Sequence, residues 1–121
     1  MSIPFLSLRD AYVALQPEID AAVQRVLDSG WYIGGAEVEA FEREWAAYTG
    51  AAHAVGVANG LDALVLALRA LGVGLGDEVI VPSNTYIATW LAVTQVGATP
   101  VAVEPVGGTY KLHPAGIKPA L

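Results

Sequence analysis

A candidate phosphate-binding turn lies where an apolar run, residues 53–58, meets Asn59 and Gly60. An Ala/Leu-rich segment follows at once, a pattern typical of a strand, a tight turn and a helix that starts at the strand's carboxyl end. The start of a helix leaves about four backbone N–H groups without partners and carries partial positive charge, which suits a phosphate. Gly60 has no Cβ and lets a ligand approach the backbone. Taken alone, the same residues favour an ordinary corner in which Asn59 or Asp62 caps the helix.

A second group of ligand-binding side chains follows the next predicted strand, in the Ser-Asn-Thr-Tyr run of residues 83–86. The ring of Tyr86 is suited to stack on a flat ligand ring, and Asn84 or Thr85 can form a hydrogen bond with it. Taken alone, however, the same run favours a helix N-cap followed by a core aromatic residue. Trp90, one turn further on, is expected to pack in the core.

Other kinds of catalytic site find little support. The sequence has no cysteine, which removes thiolate chemistry and cysteine-based metal sites. His53 and His113 have no acidic neighbours at metal-ligand spacing, so both are expected to be structural or surface residues. Ser83 lacks the Gly-x-Ser-x-Gly setting of a nucleophile, and the glycine turn has neither the dinucleotide-binding nor the P-loop pattern. Lys111 and Lys118 lie outside the predicted binding loops, so no catalytic residue is assigned.

The elements that position these residues alternate along the chain. The predicted strands are residues 53–58, 78–82 and 101–103, the predicted helices are 61–71 and 86–96, and a turn is predicted at 97–100. This alternation is typical of an α/β fold with a parallel sheet, in which ligands bind beyond the carboxyl ends of the strands. The loops that begin at Asn59, Ser83 and Glu104 are therefore expected to meet at one edge of the sheet.

Residues 1–50 are predicted to be an N-terminal helical segment, and residues 51–121 the first βαβαβ portion of a larger domain. After an extended lead-in at residues 3–6, a short helical turn is expected at 8–15, and longer helices at 17–28 and 37–48. The acids of the last of these helices are expected to form a solvated face. A loop with an aromatic pair and two glycines lies between the two long helices.

Composition limits the partners of the chain. A formal net charge of −6, with no basic patch, argues against nucleic-acid binding. No apolar run reaches about 18 residues and no signal-peptide pattern is present, so a cytoplasmic protein without membrane association is expected. The chain is 55% hydrophobic and only 15% charged, which predicts that much of its surface is covered by more chain or by another subunit.

The order of these motifs resembles the pyridoxal-phosphate-dependent sugar aminotransferases of the DegT/DnrJ/EryC1/StrS family, from Pro4 to the end of the sequence. The segments that carry the resemblance are residues 27–42, 59–64, 76–82, 84–93, 97–101 and 103–105. The last combination is most similar to the subgroup that acts at C-3 of nucleotide-linked 3-keto-6-deoxyhexoses.

The resemblance implies the N-terminal part of a fold type I, aspartate aminotransferase-like large domain, a mostly parallel sheet with flanking helices. It implies that pyridoxal 5′-phosphate is the cofactor, with its phosphate held by the backbone amides of Gly60, Leu61 and Asp62 and its pyridine ring stacked on Tyr86. It also implies that the lysine that reacts with the cofactor comes later than residue 121, so that this chain alone is inactive and truncated.

The resemblance further implies a homodimer with active sites at the interface, and a glutamate-like amino donor. The loop that holds Tyr32, Gly34 and Gly35 is then expected near the substrate or the dimer partner. The product would be an amino sugar for antibiotic, glycan or surface polysaccharide biosynthesis. The alternatives are a C-4 aminotransferase or a sugar dehydratase of the same family, and a non-catalytic truncated paralogue.

Overall fold

A computed structural model describes residues 4–120 of the chain, except for the side chain of Pro119. The described residues form two compact units, the first ending at Gly56 and the second beginning at Val57. The division into functional segments at residues 50 and 51 stays a prediction.

The first unit contains three helices, α1 (Leu8–Ala14), α2 (Gln16–Ser29) and α3 (Ala36–Thr49). These confirm the predicted helices to within one or two residues at their ends. The helix α2 has proline in its first turn, where the missing N–H has no role, and it ends at Gly30, whose φ of 66° stops the helix. Residues 4–6 of the predicted lead-in belong to no helix or strand, and Ile3 lies outside the described residues.

Polar contacts hold the helices of this unit together. The Tyr12 hydroxyl of α1 donates to Asp20 Oδ1 of α2 at 2.8 Å, and this hydrogen bond raises the pKa of Tyr12. Arg25 of α2 donates to both carboxylate oxygens of Glu37 in α3, at 2.6 and 3.2 Å. Paired hydrogen bonds of this kind fix orientation as well as distance.

The second unit is a βαβ unit preceded by a helix. Its elements are α4 (Gly60–Ala70), β1 (Glu78–Pro82), α5 (Ile87–Gln95), β2 (Thr99–Val103), α6 (Pro114–Ile117) and a 3₁₀ turn at Lys118–Ala120. The strands β1 and β2 are parallel, and their register places Glu78 opposite Thr99 and Pro82 opposite Val103. The predicted helices at 61–71 and 86–96 and the strand at 78–82 are therefore confirmed.

The core of this unit lies between the sheet and its helices. Val81 of β1, Val93 of α5 and Ala98 form the buried centre, and the helix α4 packs against α5. The half-buried residues around this centre are Leu68, Val73, Val79, Trp90 and Val96. The predicted packing role of Trp90 is thus confirmed.

Two predicted elements are wrong. Residues 53–58 form no strand, because no other described strand pairs with them and the Gly56 N–H donates instead to Glu42 Oε1, at 2.6 Å. Residues 97–100 are not all turn: Gly97 turns with a φ of 86°, but Thr99 and Pro100 already belong to β2. A proline lacks the N–H for a ladder, and an edge strand tolerates that loss.

Within residues 4–120, no helix combines the length and the apolar character needed to cross a bilayer.

Candidate functional site

The start of α4 is closed by two reciprocal hydrogen bonds. Asn59 is the N-cap, and its Oδ1 accepts from the Asp62 backbone N–H at 2.9 Å. Its Nδ2 donates to Asp62 Oδ2, also at 2.9 Å. The Asn-x-x-Asp spacing is a variant of the capping box, and it was the available sequence signal for this paired contact.

This cap determines which backbone donors stay open. The first intrahelical hydrogen bond runs from the Ala63 N–H to the Asn59 carbonyl, and the Asp62 N–H is held by Asn59. In the described part of the chain, the N–H groups of Gly60 and Leu61 donate to no protein acceptor. Outside its chain neighbours and its own helix, a Cβ placed on Gly60 would meet no atom within 4 Å, so the Cα side of this residue is open to a ligand. Two adjacent N–H groups at a helix start fit a phosphate.

Tyr86 occupies the N-cap position of α5, with extended backbone angles (φ −64°, ψ 141°) and no side-chain cap. Its side chain is 80% exposed. The hydroxyls of Thr85, directly before it, and of Thr89, three residues after it, lie 3.0 Å apart and are partly buried. An exposed ring at a fixed backbone position fits a partner with a flat aromatic ring.

The carboxyl edge of the sheet brings two of the three predicted loops together. The Ser83 N–H, just after β1, donates to the Val103 carbonyl at the end of β2, at 2.9 Å. The loops that begin at Ser83 and at Glu104 therefore start side by side, as predicted. Among residues 4–120, no hydrogen bond joins Gly60 to Tyr86, so the approach of the first loop stays a prediction.

Asp62 also lines a cavity of about 400 Å³ on the flank of α4. Arg69 of the same helix and Gln95 of α5 line it too, and Val57 lies at its wall. Because the lining includes neither Gly60 nor Tyr86, this cavity is separate from the open donors at the start of the helix.

The loop between α2 and α3 has a defined shape. The indole Nε1 of Trp31 donates to the Ile33 carbonyl at 2.6 Å, while Tyr32 is 66% exposed. Gly34 and Gly35 have φ angles of 69° and 90°, and Gly35 is the N-cap of α3 with a ψ of −171°. The angles of Gly35 are nearly exclusive to glycine, whereas the φ of Gly34 is one that other residues adopt only at some cost in energy.

A cleft of about 270 Å³ lies beside this loop, lined by Trp31, both glycines and the Arg25–Glu37 pair. The hydrogen bond from Arg25 lowers the pKa of Glu37, and the bond to Glu37 raises that of Arg25. Glu37 stays 41% exposed in this pair, so it agrees with the predicted solvated face of α3 and adds a surface ion pair to it. Glu42 of the same helix also accepts the Gly56 N–H.

The histidines and lysines belong to neither the start of α4 nor the Tyr86 loop. His113 caps α6 through Nδ1, which accepts from the Ala115 N–H at 3.2 Å, and this confirms a structural role. His53 is exposed. Lys111 and Lys118 are exposed on the loop and turn that follow β2. Among residues 4–120, no three His, Asp or Glu side chains are grouped to hold a metal ion.

Comparison with known proteins identifies the protein family of this chain. The family model described as the DegT/DnrJ/EryC1/StrS aminotransferase family matches residues 13–121. The chain belongs to this family.

Two curated relatives illustrate the likeness. The erythromycin biosynthesis sensory transduction protein EryC1 of Saccharopolyspora erythraea is 60% identical over 121 residues, which cover 100% of this chain and 33% of that protein. The dTDP-3-amino-3,4,6-trideoxy-alpha-D-glucose transaminase of Streptomyces venezuelae is 59% identical over 98% of this chain and 31% of its own length. The chain thus spans about a third of the length of the curated relatives it matches.

Solved structures agree with the fold and indicate the cofactor. The structure of DesV from S. venezuelae has a TM-score of 0.95 at 59% identity, and the match covers 98% of this chain and 32% of that one. A sugar aminotransferase of Streptococcus pneumoniae, described as its PLP form, has a TM-score of 0.83 at 35% identity over 100% of this chain and 30% of its own. The predicted fold, the N-terminal part of this transferase fold, is confirmed. The cofactor of the family is pyridoxal phosphate.

Proposed function

We propose that the protein carrying this chain transfers an amino group from glutamate to a nucleotide-linked keto-deoxysugar, using pyridoxal phosphate. The likeness to a dTDP-amino-sugar transaminase over nearly the whole chain carries this proposal. The product would be an amino sugar, and the position aminated would be C-3. Binding pockets for sugars need polar groups in defined places, and the Ser-Asn-Thr-Tyr run after β1 offers such groups.

The residues of the chain fit the cofactor in two places. The N–H groups of Gly60 and Leu61 would donate to the phosphate, since neither donates to a protein acceptor in the described residues and both lie at a helix start. The Asp62 N–H joins them only if its hydrogen bond to Asn59 opens, so it is the weaker donor of the three. Tyr86 would cover one face of the pyridine ring. When bound, pyridoxal phosphate supplies the electron sink that lets an amino group leave one carbon and join another.

The role of the chain in the reaction is therefore to bind and orient. The helix start holds an anion by backbone donors and partial positive charge, without a lysine or an arginine. The exposed ring of Tyr86 restricts the tilt of a flat ligand and keeps water from one of its faces. Tyr32, Gly34 and Gly35 would lie near the sugar or near a partner subunit. Proton transfer is assigned to no residue of this chain.

A homodimer belongs to the same proposal. Phe41, Trp45 and Tyr48 form an aromatic row along α3, with ring centroids 5.9 and 5.5 Å apart. All three side chains are at least about half exposed. Exposed apolar rows of this kind are typical of surfaces that a protein partner covers. Light scattering on the full-length protein should give twice the mass of one chain.

A substrate panel tests the proposed reaction. The full-length protein is incubated with glutamate and with 3-keto or 4-keto deoxysugars linked to dTDP or UDP, and the products are identified by mass. Amination of the 3-keto compounds is expected, with 2-oxoglutarate formed in equal amount. Amination of 4-keto compounds alone would favour the C-4 alternative, and loss of water without amination would favour a dehydratase. Failure to bind the cofactor or turn over any compound would favour a non-catalytic protein.

A further inference from the structure

The start of α5 lacks the usual helix cap. Its N-cap residue is Tyr86, which has no oxygen close enough to its own backbone to act as a cap, and no side-chain cap is present. Ser, Thr, Asn or Asp would normally occupy this position and accept an N–H of the first turn. The residues on either side of Tyr86 supply a different contact. The hydroxyl of Thr85, before the helix, meets the hydroxyl of Thr89, one turn inside it, at 3.0 Å.

This contact differs from the ordinary behaviour of threonine in a helix. A helical threonine usually turns its hydroxyl to a carbonyl three or four residues earlier. Thr94 of the same helix does so, donating to the Leu91 carbonyl at 3.0 Å, and Thr49 of α3 donates to the Trp45 carbonyl at 2.9 Å. Thr89 meets a side chain instead, so its hydroxyl links the helix to the loop before it.

The contact between the Thr85 and Thr89 hydroxyls joins residues on the two sides of Tyr86 in the sequence. The backbone at Tyr86 is extended, while the Thr89 N–H donates to the Tyr86 carbonyl at 3.0 Å and begins the helix. The direction in which the tyrosine ring leaves the backbone therefore depends on how the loop at Thr85 joins the first turn of α5. Since the ring is 80% exposed, packing contributes little to its orientation.

We propose that Thr85 and Thr89 are positioning residues, whose paired hydroxyls hold the backbone of Tyr86 so that its ring is already aligned for the cofactor. This inference rests on the proposed function, because the stacking role of Tyr86 belongs to it. Alignment before binding reduces the ordering cost of the ligand, so it acts on affinity. Both side chains are β-branched and have few rotamers, which makes the link stiff.

The test is to make a set of variants of the full-length protein and to measure the dissociation constant of pyridoxal phosphate for each. Thr89→Val keeps the shape of the side chain and removes the hydroxyl. One neutral hydrogen bond corresponds to roughly a two- to tenfold change in affinity, so binding should weaken by about that factor. Thr85→Val removes the other hydroxyl of the pair, in the loop before α5, and should weaken binding by a similar factor. Thr89→Ser should restore wild-type affinity, and Thr94→Val, which removes a hydroxyl from the same helix, should leave it unchanged.

A double-mutant cycle distinguishes positioning from general stability. If the pair acts through the ring, then Thr89→Val should have no further effect on affinity in a Tyr86→Ala background. An equal loss in both backgrounds, or unchanged affinity in Thr89→Val and Thr85→Val, would overturn the inference. Absence of cofactor binding by the wild-type protein would instead contradict the proposed function, so the two failures are distinguishable.

Discussion

Asn59 and Asp62 exchange two hydrogen bonds of 2.9 Å, one to the backbone and one between side chains. The exchange satisfies the third N–H of α4 and turns the Asp62 carboxylate toward the Asn59 amide. As a result, the first two N–H groups of the helix are the open donors. The cap therefore both stabilises the helix and selects which donors face a ligand.

Replacement of Asn59 should show how much this cap stabilises the protein. Asn59→Ala removes the cap, and an N-cap contributes about 1 kcal/mol to the free energy of unfolding. Asn59→Ser keeps an acceptor for the Asp62 N–H and should lose much less stability. Urea denaturation of the full-length protein measures the difference. Equal losses in the two variants would show that the backbone hydrogen bond contributes little.

Replacement of Tyr86 should weaken cofactor binding. Tyr86→Ala removes a ring whose stacking is worth on the order of 1 kcal/mol, or several-fold in affinity. Tyr86→Phe keeps the ring and should bind pyridoxal phosphate almost as the wild type does. Equilibrium dialysis of the full-length variants measures both constants. If Tyr86→Ala retained full affinity, the ring would have no stacking role.

Local patterns predicted the second unit well because its elements pair with one another. The strand at Glu78–Pro82 has its partner β2 within the same βαβ unit, and the pattern and the structure agree. Residues 53–58 have an equally strand-like pattern, but a strand exists only where a second strand pairs with it. The strand propensity of a segment does not show whether a partner strand is present. The predicted strand at residues 53–58 was wrong for this reason.

The site was predictable in type but not in detail. A helix start after Asn59 and an aromatic residue before α5 can be read from residue types. The direction of a side chain cannot be read from residue types. The hydrogen bond from Asn59 to the Asp62 carboxylate and the contact between the Thr85 and Thr89 hydroxyls are therefore visible only in the structure. The ion pair of Glu37 with Arg25 was missed for the same reason, since the two residues lie on different helices.

The two glycines before α3 should differ in their tolerance of alanine. Gly35 has φ 90° and ψ −171°, a region almost closed to other residues, and a Cβ there would lie 3.5 Å from the Trp31 ring. Gly35→Ala should cost roughly 3 kcal/mol of unfolding free energy. Gly34 has φ 69° and open space, so Gly34→Ala should cost roughly 1 kcal/mol. Thermal or urea unfolding of the two variants checks this order, and the reverse order would contradict it.

The two lysines after β2 should not react with the cofactor. Lys111 and Lys118 are exposed and lie outside the start of α4 and the Tyr86 loop. Borohydride reduction of the full-length protein with bound pyridoxal phosphate, followed by peptide mapping, should find the label on another lysine. Lys111→Arg and Lys118→Arg should keep the stoichiometry of labelling. A stoichiometric label on either residue would reverse this assignment.

The Arg25–Glu37 pair should contribute a small, pH-dependent stability. The hydrogen bond from Arg25 lowers the pKa of Glu37 below its ordinary value of 4.5. A lowered folded pKa means that the contribution is complete above that ordinary value and is lost as the pH falls through the folded pKa. The gap in unfolding midpoint between the wild type and Glu37→Gln should therefore shrink toward zero in acid. Glu39→Gln, in the same helical turn, is the matched control and should show a smaller gap.

The register of β1 and β2 also has a kinetic consequence. Every pair in the ladder, from Glu78 with Thr99 to Pro82 with Val103, joins residues separated by a single helix. Each pair therefore closes a long loop, and parallel pairing of this kind forms slowly because the loop-closure entropy is lost before the ladder is complete. The helix α5 is expected to form before the two strands pair. Tyr86 would then reach its position at the edge of the sheet only when β1 and β2 have paired.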